Sequence, residues 1–355
     1  MAVIVKSRRK APNRVQTSEP ASSVTGETWF NGFTVKCRHA DGRWIDPRRL
    51  EALPGPGAGY GYICGGESPT EVAVSTVERV NFVTGTVGAV NAYLPKNKCL
   101  MSPANSKDNL YMFGGLAGTT PYSDIDRLAF PFDDGSSVTQ VGVLEAAMRR
   151  TEGFNSSTDG YCVGGYDGSG YYSTVRRFDF ATEGLTNVTV SRLGEHATTS
   201  AFNSSAYGYV VVQSSLERFW FATQASNAVV RSDCLVANAD SSACFNSSAH
   251  GYLVAGSVSG SAIERVEFPF DAGTAIQVGY CMVDNAYFLS GANSSTAGWF
   301  VQGRTYDGTT VTHYSYVGRV DFPFDDGEVI VSDYMNTPRS TLAFGDGVDF
   351  VAQFV

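Results

Sequence analysis

Gly160-Tyr161-Cys162-Val163-Gly164-Gly165, followed by Ser173-Thr174-Val175-Arg176-Arg177-Phe178-Asp179-Phe180, decides the fold, because the chain says it again and again. The first part recurs as Gly61-Tyr62-Ile63-Cys64-Gly65-Gly66 and Leu110-Tyr111-Met112-Phe113-Gly114-Gly115. Weaker copies begin at Gly208-Tyr209, Gly251-Tyr252 and Gly298-Trp299. The second part is marked by Arg79, Arg127, Arg177, Arg218, Arg265 and Arg319. The unit is roughly 48 residues long and occurs six times, the period of a propeller or solenoid.

The third copy shows the anatomy. Glu152 to Ser156 is a strand of small residues suited to a crowded axis, and Thr158-Asp159-Gly160 turns the chain. Tyr161 to Gly165 is a second strand, Tyr166 to Tyr172 a loop and Ser173 to Phe180 a third strand. Glu183-Gly184 turns into a fourth, outer strand over Thr186 to Leu193. Four short antiparallel strands make one blade. A lone blade leaves two apolar faces open, so stacking is obligatory. Ser340 to Gly345 matches an inner strand that the first unit lacks, so the C-terminus is expected to complete the first blade of a six-bladed ring. Seven blades are the alternative, with Val348 to Val355 and residues 28–46 making the extra one.

The expected organisation is therefore all-β. Residues 1–27 read as a flexible basic arm, residues 28–58 as a docking segment with hairpin character, and residues 59–355 as the propeller. Residues 1–53 carry ten Lys and Arg against five Asp and Glu, a net of +5. The remainder carries sixteen against thirty, a net of −14. A basic arm on an acidic body points to docking on another protein; a solvated tail and nucleic-acid binding are the alternatives. Trp29, Phe30, Phe33 and Trp44 are the expected apolar anchors, and Arg43, Arg48 and Arg49 the charged ones. No apolar run is long enough for a membrane helix, and Lys6 to Lys10 are not followed by the apolar stretch of a secretory signal.

At residues 60–345 the pattern of aromatic strand, Gly-Gly, loop and charged aromatic strand resembles the kelch repeat. The usual fourth-strand Trp is replaced by Val188-Thr189-Val190 and Ile276-Gln277-Val278. The spelling over Phe154 to Phe180 is similar to kelch-like proteins of tailed bacteriophages, marine and cyanobacterial ones in particular. The resemblance implies a virion component made in the host cytoplasm, of the tail or its fibres rather than the capsid. A receptor-binding adhesin for a host surface glycan, a head decoration protein and a cellular kelch-type interaction module are the alternatives.

No catalytic motif is found: neither a nucleophile elbow, nor a phosphate-binding glycine loop, nor His-Glu-x-x-His. No enzyme activity, cofactor or metal is expected. The six recurrent arginines read as structural ion pairs, since a catalytic site has no use for six copies of one group. The acidic turns at Asp133, Asp271, Asp325 and Glu183 read as hairpin chemistry, calcium being the alternative. Asn-Ser-Ser at 155, 203, 246 and 293 reads as a turn. The seven cysteines read as small buried hydrophobes in a reducing compartment, against disulfides or a metal site. The best candidate ligand-binding loops combine aromatic and polar groups: Tyr166, Asp167, Tyr171 and Tyr172 in one, Arg304, Tyr306, Asp307 and His313 in the other.

Overall fold

The computed structural model describes residues 28–30, 35–38, 44–45, 59–132, 136–188, 200–212, 215–224, 242–254, 262–270, 274–280, 289–301, 303–306, 309–324, 329–336, 338–340 and 343–346. The contacts divide the chain after Leu53. In the first unit β1 (Thr28–Phe30), β2 (Val35–Arg38) and β3 (Trp44–Ile45) form an antiparallel sheet in that order, with Trp29 opposite Lys36 and Arg38 opposite Trp44.

The second unit is a six-bladed β-propeller. Blade 1 is built from β4 (Tyr60–Cys64), β5 (Thr76–Asn81), β6 (Val87–Tyr93) and the last described strand, β29 (Ala343–Asp346). Blade 2 uses β7 (Ser102–Asn105), β8 (Asn109–Phe113), β10 (Thr120–Ala129) and β11 (Thr139–Met148), with the short β9 (Leu116–Ala117) beside β10. Blade 3 uses β12 (Glu152–Asn155), β13 (Asp159–Val163), β14 (Val175–Asp179) and β15 (Gly184–Val188). The three described strands of blade 4 are β16 (Ser200–Asn203), β17 (Tyr207–Val212) and β18 (Ser215–Trp220). Blade 5 uses β19 (Ala243–Asn246), β20 (His250–Val254), β21 (Ala262–Glu267) and β22 (Ile276–Tyr280). Blade 6 uses β23 (Ser290–Asn293), β24 (Ala297–Val301), β27 (Tyr316–Asp321) and β28 (Ile330–Tyr334). It also carries a hairpin of β25 (Arg304–Tyr306) and β26 (Val311–His313).

The inner strands touch in sequence, β7 to β12, β16, β19, β23, β29 and back to β7, so the ring is closed. Closure is made by β29 on β4, with Ala343 opposite Cys64 and Asp346 opposite Gly61. The first and the last described strands of the second unit thus share one blade. The inner strand begins three residues later than the sequence suggests, because Ser340 instead exchanges backbone hydrogen bonds with Glu67. Among the described residues no seventh blade is formed: β1, β2 and β3 pair with one another, and Val348 to Val355 lie outside the described residues.

Burial explains the strand composition. The second strand of each blade is covered on both faces and is nearly all apolar, as in β4, β8, β13 and β20. The outer strands β6 and β15 are largely exposed and tolerate polar residues. Each pair of neighbouring blades is joined by one parallel stack of rings. The second-strand aromatic of one blade lies on the aromatic that ends the third strand of the next. The pairs are Tyr62–Phe130, Tyr111–Phe180, Tyr161–Phe221, Tyr209–Phe268, Tyr252–Phe322 and Trp299–Phe82, with ring centroids 5.1 to 5.4 Å apart. Where the third strand ends in Phe-Pro-Phe, the tyrosine hydroxyl also accepts the backbone N–H of the second Phe. Tyr62 takes that of Phe132 at 3.1 Å, Tyr209 that of Phe270 at 3.2 Å and Tyr252 that of Phe324 at 3.4 Å. The glycine before the second-strand aromatic has the complementary task. At Gly208, Gly251 and Gly298 an added methyl would strike the ring of Phe154, Phe202 and Phe245 from the preceding blade.

Candidate functional site

Antiparallel order places the turns after the first and third strands of every blade on one face. The loops after the second strands, and the linkers between blades, lie on the other, here called the upper face. Upper-face relief differs between blades. The loop has two residues between β17 and β18 in blade 4, but eleven between β4 and β5, eleven between β13 and β14, and fourteen between β24 and β27.

The Tyr166 to Tyr172 loop is fixed by its own carboxylate. Asp167 Oδ1 accepts the backbone N–H of Ser169 at 2.7 Å and of Gly170 at 2.9 Å, and its Oδ2 accepts the Tyr172 hydroxyl at 2.7 Å. These donors, the Ser169 amide first, hold the Asp167 carboxyl well below the usual range. The same bond pushes the Tyr172 phenol up. Tyr166 packs on Tyr171 with centroids 5.0 Å apart, under the Arg149 guanidinium at 5.1 Å. Tyr171 is left 52% exposed, so an aromatic edge stands over a rigid turn. Asp167, one of the candidate ligand-binding residues, thus orders its loop through its own carboxylate.

In blade 6 Arg304 reaches Glu67 of blade 1 at 3.3 Å. His313 faces Arg304 across the hairpin, and burial, then the Arg304 charge, lower its pKa. Tyr306 ends β25 opposite Val311; Asp307 lies outside the described residues. The two candidate loops thus belong to blades 3 and 6, on opposite sides of the ring. Of the docking residues, Trp29 and Phe30 lie on β1 and Trp44 on β3, while Phe33, Arg43, Arg48 and Arg49 fall outside the described residues.

The recurrent arginines are half-buried at one place in every third strand, and their partners differ. Arg127 bonds Glu183 of the next blade at 2.8 Å, and Glu183 also accepts the Tyr111 hydroxyl at 3.2 Å. Arg177 lies 3.4 Å from Asp159 of its own blade, and Arg319 2.6 Å from Asp321. Arg79 and Arg218 each cover a tyrosine ring, Tyr60 and Tyr207, at 4.5 Å. Arg265 stands by His250, whose pKa is lowered by burial and then by that charge.

Five of the six arginines follow a charged residue, and those residues, Glu78, Asp126, Arg176, Glu217 and Glu264, are all buried. The ties made by three of them join blades and linkers. Lys98, itself fully buried, bonds Asp126 at 2.7 Å and Asp124 at 3.0 Å. Arg339, also fully buried, sits 3.6 Å from Glu78 and donates to the carbonyl oxygens of Thr76 and Ile63. Arg176 bonds Glu145 at 2.6 Å and the Gly164 carbonyl at 3.0 Å. Lys98 and Arg339 come from the linkers that enter blades 2 and 1, so each pair ties a linker to the sheet. A charge at one fixed strand position, with an opposite charge just before an inner strand, is the signal that was available.

Along the axis the inner strands enclose a channel of about 130 Å³, lined by Met101, Arg150, Glu152, Ser200, Ser242 and the Asn residues at the strand ends. Hydroxyls join neighbouring blades at its upper end: Ser102 with Thr151 at 2.9 Å, and Ser242 with Ser200 at 2.9 Å. No group of three or more His, Cys, Asp or Glu that suits a metal is present among the described residues. The Asp133, Asp271 and Asp325 turns lie outside them.

The fold and the face-and-channel layout define the class as six-bladed β-propeller. No family model matches the chain, and no curated protein matches it. Among solved structures it is similar to the one titled "Structure of YjhT", at a TM-score of 0.56 and 11% identity, over 70% of this chain and 88% of that one. At that identity the likeness concerns the fold.

Proposed function

We propose that this chain is a non-enzymatic propeller that serves as a building block of a tailed-phage virion, in the tail or its fibres. The ring is a rigid platform, and residues 1–58 fasten it to a neighbouring protein by folding against it. The observation that carries this reading is where the ring spends its charges. Lys98, Asp126, Arg339, Glu78, Arg176 and Glu145 are all engaged in ties that hold blades and linkers together. Groups so committed support a scaffold rather than a reacting centre. The kelch-like phage spelling of Phe154 to Phe180 supplies the virion context. Crosslinking and limited proteolysis of the intact particle test it. Residues 1–53 are expected to be cleaved in the isolated chain, and protected and crosslinked to one virion protein in the particle. Equal cleavage in both overturns the reading.

Adhesion to a host glycan is the second reading, favoured by one feature: the exposed Tyr171 ring beside a turn already ordered by Asp167. Rigid aromatic edges bind sugars at low entropic cost. Tyr171→Ala is expected to reduce binding of the purified ring to host cells; unchanged binding removes this reading.

A further inference from the structure

The lower end of the axial channel is circled by the last residue of each inner strand: Asn105, Asn155, Asn203, Asn246 and Asn293 from blades 2 to 6, and Asp346 from blade 1. The register is the same in all six, since each residue with a described second-strand partner faces Gly160, Gly208, Gly251, Gly298, Gly61 or, in blade 2, Leu110. The carboxamides link blades. Asn155 Oδ1 accepts the Asn105 backbone N–H at 3.3 Å, Asn203 Oδ1 that of Asn155 at 3.5 Å, and Asn293 Oδ1 that of Asn246 at 2.6 Å.

A backbone N–H only donates, so the carboxamide atom facing it is the oxygen, and the amino group of that side chain is turned elsewhere. Asn293 gives its amino group to Asn246 Oδ1 at 3.4 Å. That bond fixes Asn246 in the same way. Its oxygen is taken, and its Nδ2 is buried in a residue only 2% exposed, with no hydrogen-bond partner among the described residues. Asn155, Asn203 and Asn246 all line the channel and occupy consecutive blades 3, 4 and 5. Blade 4 lies across the ring from blade 1, which supplies Asp346. The three carboxamides thus form an arc on the side away from blade 1, and the Asn246 amino group is buried and unpartnered within it among the described residues.

We propose that this arc is a seat for a small monovalent anion of the halide class. The buried Asn246 amino group demands an acceptor, and an anion takes several N–H donors at once. The donors are neutral, and the body of the chain is acidic. A dianion such as phosphate would need cationic partners to offset its dehydration, whereas a halide loses far less on leaving water. The bound ion would lock three blades to one centre, and its binding would add to the stability of the closed ring.

Diffraction from crystals of the full chain grown in bromide tests this through anomalous scattering. The expected result is a bromine peak within hydrogen-bonding reach of the amino groups of Asn155, Asn203 and Asn246. The variant Asn246→Asp keeps the oxygen that receives Asn293 and replaces the donor by an acceptor, so it is expected to lose the peak. A peak that persists in this variant marks an adventitious ion only and overturns the proposal, as does water with no anomalous signal at the arc. In solution, the wild-type melting midpoint is expected to rise when gluconate is exchanged for chloride at constant ionic strength. This second measurement stands even if the variant fails to fold, and no shift overturns the proposal.

Discussion

Trp299 of blade 6 lies on Phe82 of blade 1, ring centroids 5.1 Å apart and planes inclined by 28°. It is the same contact that Tyr62 makes with Phe130 and Tyr252 with Phe322. The interface where the chain's two ends meet is therefore built like the five within its length. Only the ring type changes, and the indole is fully buried there.

Trp299→Ala is expected to destabilise the ring by about 3–5 kcal/mol, the usual cost of emptying a large aromatic site. Tyr252→Phe keeps the stack and removes only the hydroxyl that accepts the Phe324 N–H, so about 1–3 kcal/mol is expected. Urea unfolding of both variants beside the wild type measures the difference. A loss in Trp299→Ala no larger than that in Tyr252→Phe would mean that the ring stack adds little to the interface.

Gly298→Ala places a methyl against the Phe245 ring. Overpacking of this kind costs about 1–3 kcal/mol. Gly88, in an outer strand with open space around it, is the control: Gly88→Ala is expected to leave the urea midpoint unchanged or slightly raised.

Lys98→Met leaves Asp124 and Asp126 without their buried cation, and a loss of about 3–5 kcal/mol is expected. Adding Asp126→Leu to that variant removes the stranded charge and is expected to recover part of the loss. A double-mutant cycle on thermal or urea unfolding reads the coupling. Additive effects would show that the pair does not act as a unit.

Burial pushes the Cys64 thiol up to about 12, and the Cys162 thiol up as well. Cys99 and Cys244 are also buried as thiols. Little thiolate is present at neutral pH, and access is closed. Iodoacetamide with mass spectrometry is expected to leave these four unlabelled in the native protein and label all four in urea. Native labelling of Cys64 would contradict its position beneath β29.

Asp167 supplies the pH dependence. Its folded pKa is depressed below the ordinary carboxylate value, so its contribution to loop order is present above that value and is lost as pH falls through the folded pKa. NMR titration of the Ser169 and Gly170 amides is expected to show the loop intact well below the pH at which free aspartate protonates. Titration at the ordinary value would contradict the loop geometry.

The propeller was legible in the sequence because its repeated residues answer a repeated steric demand: the glycine takes a neighbour's ring, and the aromatic after it stacks on the next blade. Closure by the last strand was legible for the same reason, since Ala343 and Phe344 continue a pattern whose first copy is incomplete. What escaped notice depends on partners distant in sequence. The Asn-Ser-Ser motif reads locally as a turn, and Ser156 does cap one by accepting the Asp159 N–H at 3.0 Å. The tie from Asn155 to Asn105 spans fifty residues and is visible only once the ring is closed. The charged residues before five of the arginines were legible in the sequence, but not their burial or their partners, because Arg339 meets Glu78 only through closure. The part that Asp167 plays in ordering its loop was not legible either, for the opposite reason: its partners lie two, three and five residues away, in a turn whose geometry the sequence does not specify.

Removal of residues 340–355 tests the closed ring most directly, with amide hydrogen exchange as the readout. Loss of β29 is expected to abolish protection at Tyr62, Ile63 and Cys64 and to lower the cooperative unfolding midpoint of all six blades. Full protection of β4 with an unchanged midpoint would contradict closure by the C-terminal strand.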